Sequence, residues 1–155
     1  MSMAILTMNK FAIVVSQFNP TITEKLLQGA FNRLIEAGIH EKNISVLHVP
    51  GAIEIPLITQ LAAKSKRYRA IICLGAVIRG DTNHYDYVCQ QVSQGCQRVM
   101  LDYEIPVIFG VLTTDTTEQA EARVGGNEGH KGIDAANTAL AMVRLLEKFS
   151  YQYKN

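Results

Sequence analysis

The sequence predicts an α/β fold in which an open parallel sheet is covered by helices on both faces. Four short apolar runs alternate with segments whose apolar residues recur at helical spacing. The third run, AIICLGA, is apolar throughout, as expected for a strand covered on both faces. The length of 155 residues suits one domain, with an N-terminal arm over residues 1–10 and an α/β core over residues 11–150.

The first strand–helix unit begins at the β-rich run Phe11–Ser16. The helix that follows is predicted to begin at a capping box formed by Thr21 and Glu24. Its apolar residues continue at helical spacing until Gly38, a residue type that commonly ends helices.

The second and third units follow the same plan. The second strand, Ile44–Val49, precedes a predicted helix over Glu54–Lys66, in which Pro56 is tolerated because it lies in the first turn. The third strand is Ala70–Ala76, and the helix after it is predicted over Tyr85–Leu101.

The fourth unit is longer than the others. Its strand, Pro106–Thr113, is followed by a short helix over residues 117–124, capped by Thr116 with Gln119, and by a glycine-rich loop. The last helix, predicted over Ile133–Phe149, has a wide apolar face. That face is wider than one sheet requires, and it predicts packing between subunits.

The charge and cysteine content narrow the class of protein. Fifteen basic and fourteen acidic residues leave a net charge of +1, which gives no electrostatic reason to expect a nucleic acid or membrane partner. Cys73, Cys89 and Cys96 form no CxxC pair, and we expect them to pack in a reducing compartment. Without a signal-peptide pattern or an apolar run of ~20 residues, the sequence predicts a cytoplasmic protein.

Unusual polar clusters follow the predicted strands. They are Gln17-Phe18-Asn19, Pro50 to Glu54, Ala76 to His84, and Thr113-Thr114. The carboxyl ends of parallel strands meet at one edge of the sheet, which is where α/β sheets bind ligands. We therefore expect the functional site at this edge.

His84 has a side chain suited to proton transfer near neutral pH, although a loop histidine can equally be an exposed residue or a helix cap. A metal site of Asp81, His84 and Asp86 is disfavoured because the spacing matches no common zinc pattern. The Arg79 to Thr82 turn could bind an oxyanion, or Asp81 could cap the next helix. No GxxxxGK[ST] motif is present, which excludes a P-loop.

Two further signals remain open at this level. Phe18 could stack on a planar ligand or fold back over the next helix. Arg123 and Lys131 form a second basic patch among glycines, which could bind an anion or be a solvated loop.

Five segments together resemble the lumazine synthase family. They are FN at Phe18-Asn19, VPGAIEIPL at Val49–Leu57, LGAVIRGDTNHYDYV at Leu74–Val88, PVIFGVLTTDTTEQAEARVG at Pro106–Gly125 and GHKGIDAA at Gly129–Ala136. The segments occur in the family's order and spacing, from the first strand to the last helix. The resemblance implies a three-layer sandwich of flavodoxin-like topology with a four-stranded parallel sheet.

The resemblance also implies an activity. Lumazine synthases condense 5-amino-6-(D-ribitylamino)uracil with 3,4-dihydroxy-2-butanone 4-phosphate, without metal or cofactor, in riboflavin biosynthesis. It implies pyrimidine contacts from Phe18, Asn19, Ala52, Ile53, Glu54, Ala76, Val77, Ile78 and Phe109. It implies a phosphate cradle of Asp81, Thr82 and Arg123. It also implies two catalytic residues, His84, which transfers protons, and Lys131, which supports the cradle.

The resemblance implies self-association as well. The family forms pentamers whose active sites lie between subunits, with Phe109 supplied by a neighbour. Because the Gly125 to Gly132 loop lacks an insertion, we expect pentamers to join into an icosahedral shell. Riboflavin synthase is a further partner that the resemblance suggests.

Three positions depart from the family pattern, and three other functions stay in competition. Ile53 replaces a usual aromatic, His130 a usual asparagine, and Gln17 a frequent arginine. The competing functions are a non-catalytic flavin or lumazine binder, a structural shell protein and a flavodoxin-like electron carrier. Retention of His84, Arg123 and Lys131 favours the enzyme over the binder.

Overall fold

A computed structural model of the protein describes residues 10–153, so the predicted N-terminal arm lies outside the described residues except for Lys10. The strands are β1 (Phe11–Ser16), β2 (Ile44–Val49), β3 (Ala70–Ile78), β4 (Val107–Thr114), β5 (Val124–Gly126) and β6 (Gly129–His130). The α-helices are α1 (Pro20–Glu36), α2 (Ile55–Lys64), α3 (His84–Tyr103), α4 (Thr117–Ala122) and α5 (Lys131–Tyr153). Two 3₁₀ turns cover Glu41–Asn43 and Ala52–Glu54.

The main sheet contains four parallel strands in the order β2-β1-β3-β4, which confirms the predicted fold class. The chain moves outward from β1 to β2 and then crosses to β3 on the other side of β1. The connections that leave β1 and β3 therefore diverge, and a crevice opens at the carboxyl ends of these two strands.

Helices cover both faces of the sheet, and each face has its own apolar core. Helices α1 and α5 pack on one face, through residues such as Leu26, Leu34 and Ala139. Helices α2 and α3 pack on the other, through residues such as Ala63 and Val92. The predicted three-layer sandwich is thus present, and the buried strands account for the continuous apolar runs in the sequence.

The predicted capping box at Thr21 and Glu24 is wrong. Helix α1 begins at Pro20, and its N-cap is Asn19, whose side chain does not cap the helix. The main-chain oxygen of Asn19 instead accepts hydrogen bonds from the N–H groups of Ile22 and Thr23. Proline is well suited to the first helical position, where its missing N–H would have had no helical partner, so the helix begins before Thr21.

Other element boundaries differ from the prediction for tertiary reasons. Strand β3 continues through Val77 and Ile78, because these residues pair with Thr113 and Thr114 of β4. The predicted glycine-rich loop contains an antiparallel hairpin of β5 and β6, and the last helix begins directly after it. The capping box of Thr116 with Gln119 is confirmed.

Ser16, the last residue of β1, is buried, and its hydroxyl has no hydrogen-bond partner among the described residues. We predict that Ser16→Ala raises the free energy of unfolding by about 1 kcal/mol, because a buried hydroxyl without a partner is destabilising. The measurement is the urea midpoint at one fixed protein concentration.

Gly75→Ala provides the control, since a Cβ there would lie 2.8 Å from the Ser16 hydroxyl oxygen. It should destabilise the protein, and less so when combined with Ser16→Ala. A loss of stability in Ser16→Ala would contradict the prediction.

Candidate active site

A crevice of about 220 Å³ opens at the carboxyl ends of β1 and β3, at the predicted edge of the sheet. We call it the β1–β3 crevice. It is lined by Phe18, Asn19, Ala52, Ala76, Val77, Ile78, Gly80, Thr82, His84, Tyr85 and Val88. Most of these residues were predicted from the sequence as site residues, although they come from three separate segments of the chain.

The loop after β1 presents Phe18 to the crevice. The main-chain N–H of Phe18 donates to the Pro50 carbonyl, and its ring is 71% exposed. The ring therefore does not fold back into the core as a staple over α1. An exposed aromatic side chain on a tethered loop can stack against a planar ligand.

Asn19 holds this loop against β3. Its backbone is left-handed, with φ of 60°, a conformation that asparagine tolerates better than most residues. Its side-chain Nδ2 donates to the Ala76 carbonyl at 3.0 Å. The side chain is thus engaged within the protein, and it positions Phe18 beside the end of β3.

The predicted residues of the Ala52–Glu54 turn separate into two groups. Ala52 is buried and lines the crevice, whereas Ile53 and Glu54 are exposed and do not line it. Ile53 is 41% exposed, so a bound ligand or another subunit could still cover it.

His84 is the first residue of helix α3, and its side chain is exposed on the rim of the crevice. Its main-chain N–H donates to the Thr82 hydroxyl oxygen at 3.3 Å. The helix N-cap is Asn83, so Asp81 is not the cap. Thr82 lines the crevice with His84, whereas Asp81 does not.

Arg79 connects the loop before His84 to the end of β4. Its Nε donates to Asp115 Oδ1 at 2.8 Å, and its Nη2 lies 3.6 Å from Asp86 Oδ1. The guanidinium also lies 4.3 Å from the centre of the Tyr85 ring. The hydrogen bond with Asp115 raises the pKa of Arg79. These contacts restrain the turn that carries Thr82 and His84.

Tyr85 and Val88 line the crevice but were not predicted as site residues. The phenol of Tyr85 is half-buried, and burial raises its pKa, while a hydrogen bond with Thr113 acts in the opposite direction. Their spacing in the sequence could have identified them. Tyr85 and Val88 are three residues apart, so they share one face of a helix predicted to begin next to His84.

Arg123 and Lys131 lie elsewhere in the same chain. They line a second concavity, of about 340 Å³, which also contains Thr113, Thr114, Glu128 and Asp134. This concavity shares no lining residue with the β1–β3 crevice. Within one chain, therefore, the structure does not bring Arg123 into the same pocket as Thr82 and His84.

Phe109 lies in the middle of the edge strand β4, opposite Cys73, and it lines neither concavity. It is half-buried against the core formed with α2 and α3. Because β4 is an edge strand, a second chain can approach it from the open side.

None of the three cysteines lines the β1–β3 crevice. A hydrogen bond with Cys96, followed by burial, raises the pKa of the Cys73 thiol well above its ordinary value. Burial also raises the pKa of Cys89. Within residues 10–153, no group of three His, Cys, Asp or Glu side chains could hold a metal ion, and no helix is long and apolar enough to cross a membrane.

Comparisons with known proteins agree on one family. A family model described as 6,7-dimethyl-8-ribityllumazine synthase matches residues 8–147. Proteins named "6,7-dimethyl-8-ribityllumazine synthase" from three strains of Coxiella burnetii are each 60% identical to this chain over 139 residues. The aligned region covers 90% of this chain and 92% of each relative.

The Asn19 tether can be tested by two substitutions. Asn19→Ala should lower the free energy of unfolding by about 2 kcal/mol, because it loses a hydrogen bond and places alanine in a left-handed conformation. Asn19→Gly should cost about half as much, because glycine adopts that conformation without strain. Urea unfolding measures both free energies. If Asn19→Ala and Asn19→Gly lowered the free energy of unfolding equally, the left-handed backbone at position 19 would contribute nothing to the difference, and the prediction would be wrong.

Proposed function

The chain belongs to the 6,7-dimethyl-8-ribityllumazine synthase family, and from this premise we propose that the family's condensation takes place in the β1–β3 crevice. The chain is an enzyme of riboflavin biosynthesis. The reaction joins 5-amino-6-(D-ribitylamino)uracil and 3,4-dihydroxy-2-butanone 4-phosphate, and it releases phosphate and water.

The observation that carries this proposal is the convergence of an exposed aromatic ring, a strand end and a histidine on one crevice. Phe18 stacks on the pyrimidine, while the main chain of Ala76 to Ile78 offers polar groups to its edge. The Ala76 carbonyl already accepts a hydrogen bond from the Asn19 side chain, so the main-chain groups offered to the pyrimidine lie towards Ile78. The crevice thus suits a flat, polar ring.

The chemistry explains why a histidine belongs on the rim. The amine attacks the ketone to form an imine with loss of one water, phosphate then leaves, and ring closure releases a second water. Each of these steps moves a proton, and His84 has no side-chain hydrogen-bond partner among the described residues. It is therefore available to accept a proton in one step and to donate it in another. Holding both substrates in line supplies much of the remaining acceleration.

The phosphate site is proposed to form between two copies of the chain. Arg123 and Lys131 supply the positive charge that a leaving phosphate requires, but they line a concavity separate from that of Thr82 and His84. Glu128 and Asp134 also line the second concavity, and their negative charges offset the positive charges of Arg123 and Lys131. We propose that a neighbouring copy brings its own Arg123 and Phe109 to the β1–β3 crevice. This arrangement places a cation beside Thr82 and His84, which one chain alone does not do.

Several surfaces support self-association. Large apolar side chains are exposed on α2 and on the last turns of α5, including Leu57, Leu61, Leu145 and Phe149. We propose ring-shaped pentamers, which assemble further into an icosahedral shell in the cytoplasm. Riboflavin synthase, which would use the product, is the proposed partner of this assembly.

The direct test incubates the purified protein with both substrates. Formation of the lumazine is followed by absorbance and fluorescence, and the same sample is analysed by sedimentation. We expect product formation and a ring-sized or shell-sized particle. Full activity in a species of 17.1 kDa would overturn the shared site and the assembly together.

We predict that His84→Ala lowers kcat by roughly a hundredfold, the typical effect of removing a general acid–base group. Folding should be unaffected because the side chain is exposed. The matched control is His40→Ala, since His40 is another exposed histidine, placed at a turn outside the crevice. Wild-type turnover in a folded His84→Ala protein would refute the proton-transfer role.

A second prediction concerns Arg123. Arg123→Ala should raise the KM for the butanone phosphate more than the KM for the pyrimidine, because charge-assisted hydrogen bonds to phosphate contribute about 1.5–3 kcal/mol each. Inorganic phosphate should compete with the same substrate. Equal effects on both KM values would contradict this assignment.

Mixing the two variants tests the shared site itself. If His84 and Arg123 of one site come from different copies, co-assembly of His84→Ala with Arg123→Ala subunits restores about one quarter of the sites, since both groups are intact at one interface in four. If both residues of a site belong to one chain, co-assembly restores no activity.

A further inference from the structure

The imidazole of His130 lies at the junction of the β5–β6 hairpin, helix α1 and the start of helix α5. Its Nδ1 accepts hydrogen bonds from the main-chain N–H groups of Gly132 at 3.1 Å and Ile133 at 3.3 Å. These groups belong to the first turn of α5, where helices have unpaired N–H groups. His130 therefore performs the capping role that Ser, Thr, Asp or Asn usually fills.

The same ring is packed directly on the backbone of helix α1. A Cβ added to Gly29 would lie 2.2 Å from Cε1 of His130, and one added to Gly132 would lie 2.3 Å from the Leu26 carbonyl oxygen. Neither distance is possible for a real Cβ, so glycine is required at position 132, and also at position 29 as long as the His130 ring keeps its place. The start of α5 is thus held against α1 by one imidazole and two glycines.

The backbone on either side of His130 carries the two cations of the second concavity. Arg123 immediately precedes β5, and Lys131 immediately follows β6. The N–H of Lys131 donates to the Arg123 carbonyl at 2.8 Å, and Val124 pairs with His130. Any displacement of His130 is therefore transmitted to both cations through the main chain.

The imidazole itself does not face these cations. It lines another concavity, with Gly29 and residues of α1, whereas Arg123 and Lys131 line the one beside Thr114. His130 consequently cannot contact a ligand of the two cations in this chain. Its influence on them has to pass through the backbone.

We propose that His130 is a positioning residue, which sets the relative placement of Arg123 and Lys131 by capping α5 and spacing it from α1. This inference rests on the proposed function, because it assigns the phosphate of the butanone substrate to these cations. The capping bonds fix the first turn of α5, and the ring fixes the distance to Gly29.

The two contributions can be separated by substitution. His130→Ala removes the cap and the ring, whereas His130→Asn keeps an acceptor near the position of Nδ1 but loses the outer ring atoms. Asparagine is among the best N-cap residues. If the cap is what places the cations, the asparagine variant should behave like the wild type.

The experiment measures both KM values and kcat for the assembled enzyme. We expect His130→Ala to raise the KM for the butanone phosphate about fivefold, because displaced cations form weaker charge-assisted hydrogen bonds to the phosphate. The KM for the pyrimidine should stay unchanged, and His130→Asn should return the first KM to within about twofold of the wild-type value. Should His130→Ala fail to fold, His130→Gln replaces it. The side-chain oxygen of glutamine lies one methylene farther from the backbone than that of asparagine, so it does not occupy the capping position of Nδ1.

Gly29→Ala provides an independent check, since it expels the ring without changing His130. It should raise the KM for the butanone phosphate, and the combination with His130→Asn should lower that KM again.

The outcomes are distinguishable. A wild-type protein that forms no product refutes the proposed function. Active variants in which both KM values rise equally, or in which His130→Asn does not rescue, refute the positioning role alone.

Discussion

The site depends on one feature of the sheet, namely that β3 extends beyond the end of β1. The two strands pair in register as far as Val15 and Leu74, and β1 ends at the next residue. Ala76, Val77 and Ile78 then pair with β4 alone, so their side towards β1 is open. A strand edge left in this way has unpaired main-chain groups, which need partners. Asn19 provides one partner for Ala76, and the remaining space is the crevice.

The charged groups at the carboxyl edge of the sheet form two separate sets. Arg79 bridges Asp86 and Asp115 and so ties the start of α3 to the end of β4. Arg123 and Lys131 are held apart from it by the hairpin. Arg79 and its two carboxylate partners are solvent-exposed, where an ion pair contributes little to stability. The value of these ion pairs is therefore positional, because they restrain the turn that carries Thr82 and His84.

Close backbone contacts supply the precision that these loops need. Gly29 and Gly132 allow α5 to approach α1, and Gly75 and Gly110 allow side chains of neighbouring strands to pack over the sheet. A methyl group at any of them would overlap an existing atom or force it to move. Tightly packed interiors accommodate such additions poorly, which explains how a small fold can hold several loops at fixed positions.

The sequence by itself determined the fold class, the edge of the sheet at which the crevice opens and most of the residues that line the crevice. These follow from local information: the periodicity of apolar residues, the turn residues after each strand, and motifs that resemble one family. The Thr116 capping box was predictable for the same reason, because both of its partners lie within four residues.

The tertiary structure decided what depends on distant segments. The capping box at Thr21 was wrong because Pro20 and the left-handed Asn19 set the helix start, and the end of β3 followed from its pairing with β4. Tyr85 lines the crevice because of the direction in which α3 runs. Arg123 lies in the other concavity because the β5–β6 hairpin places it there. The packing of His130 on Gly29 joins residues about a hundred positions apart. No local pattern encodes such contacts, since they arise only when strand order and helix packing bring those segments together.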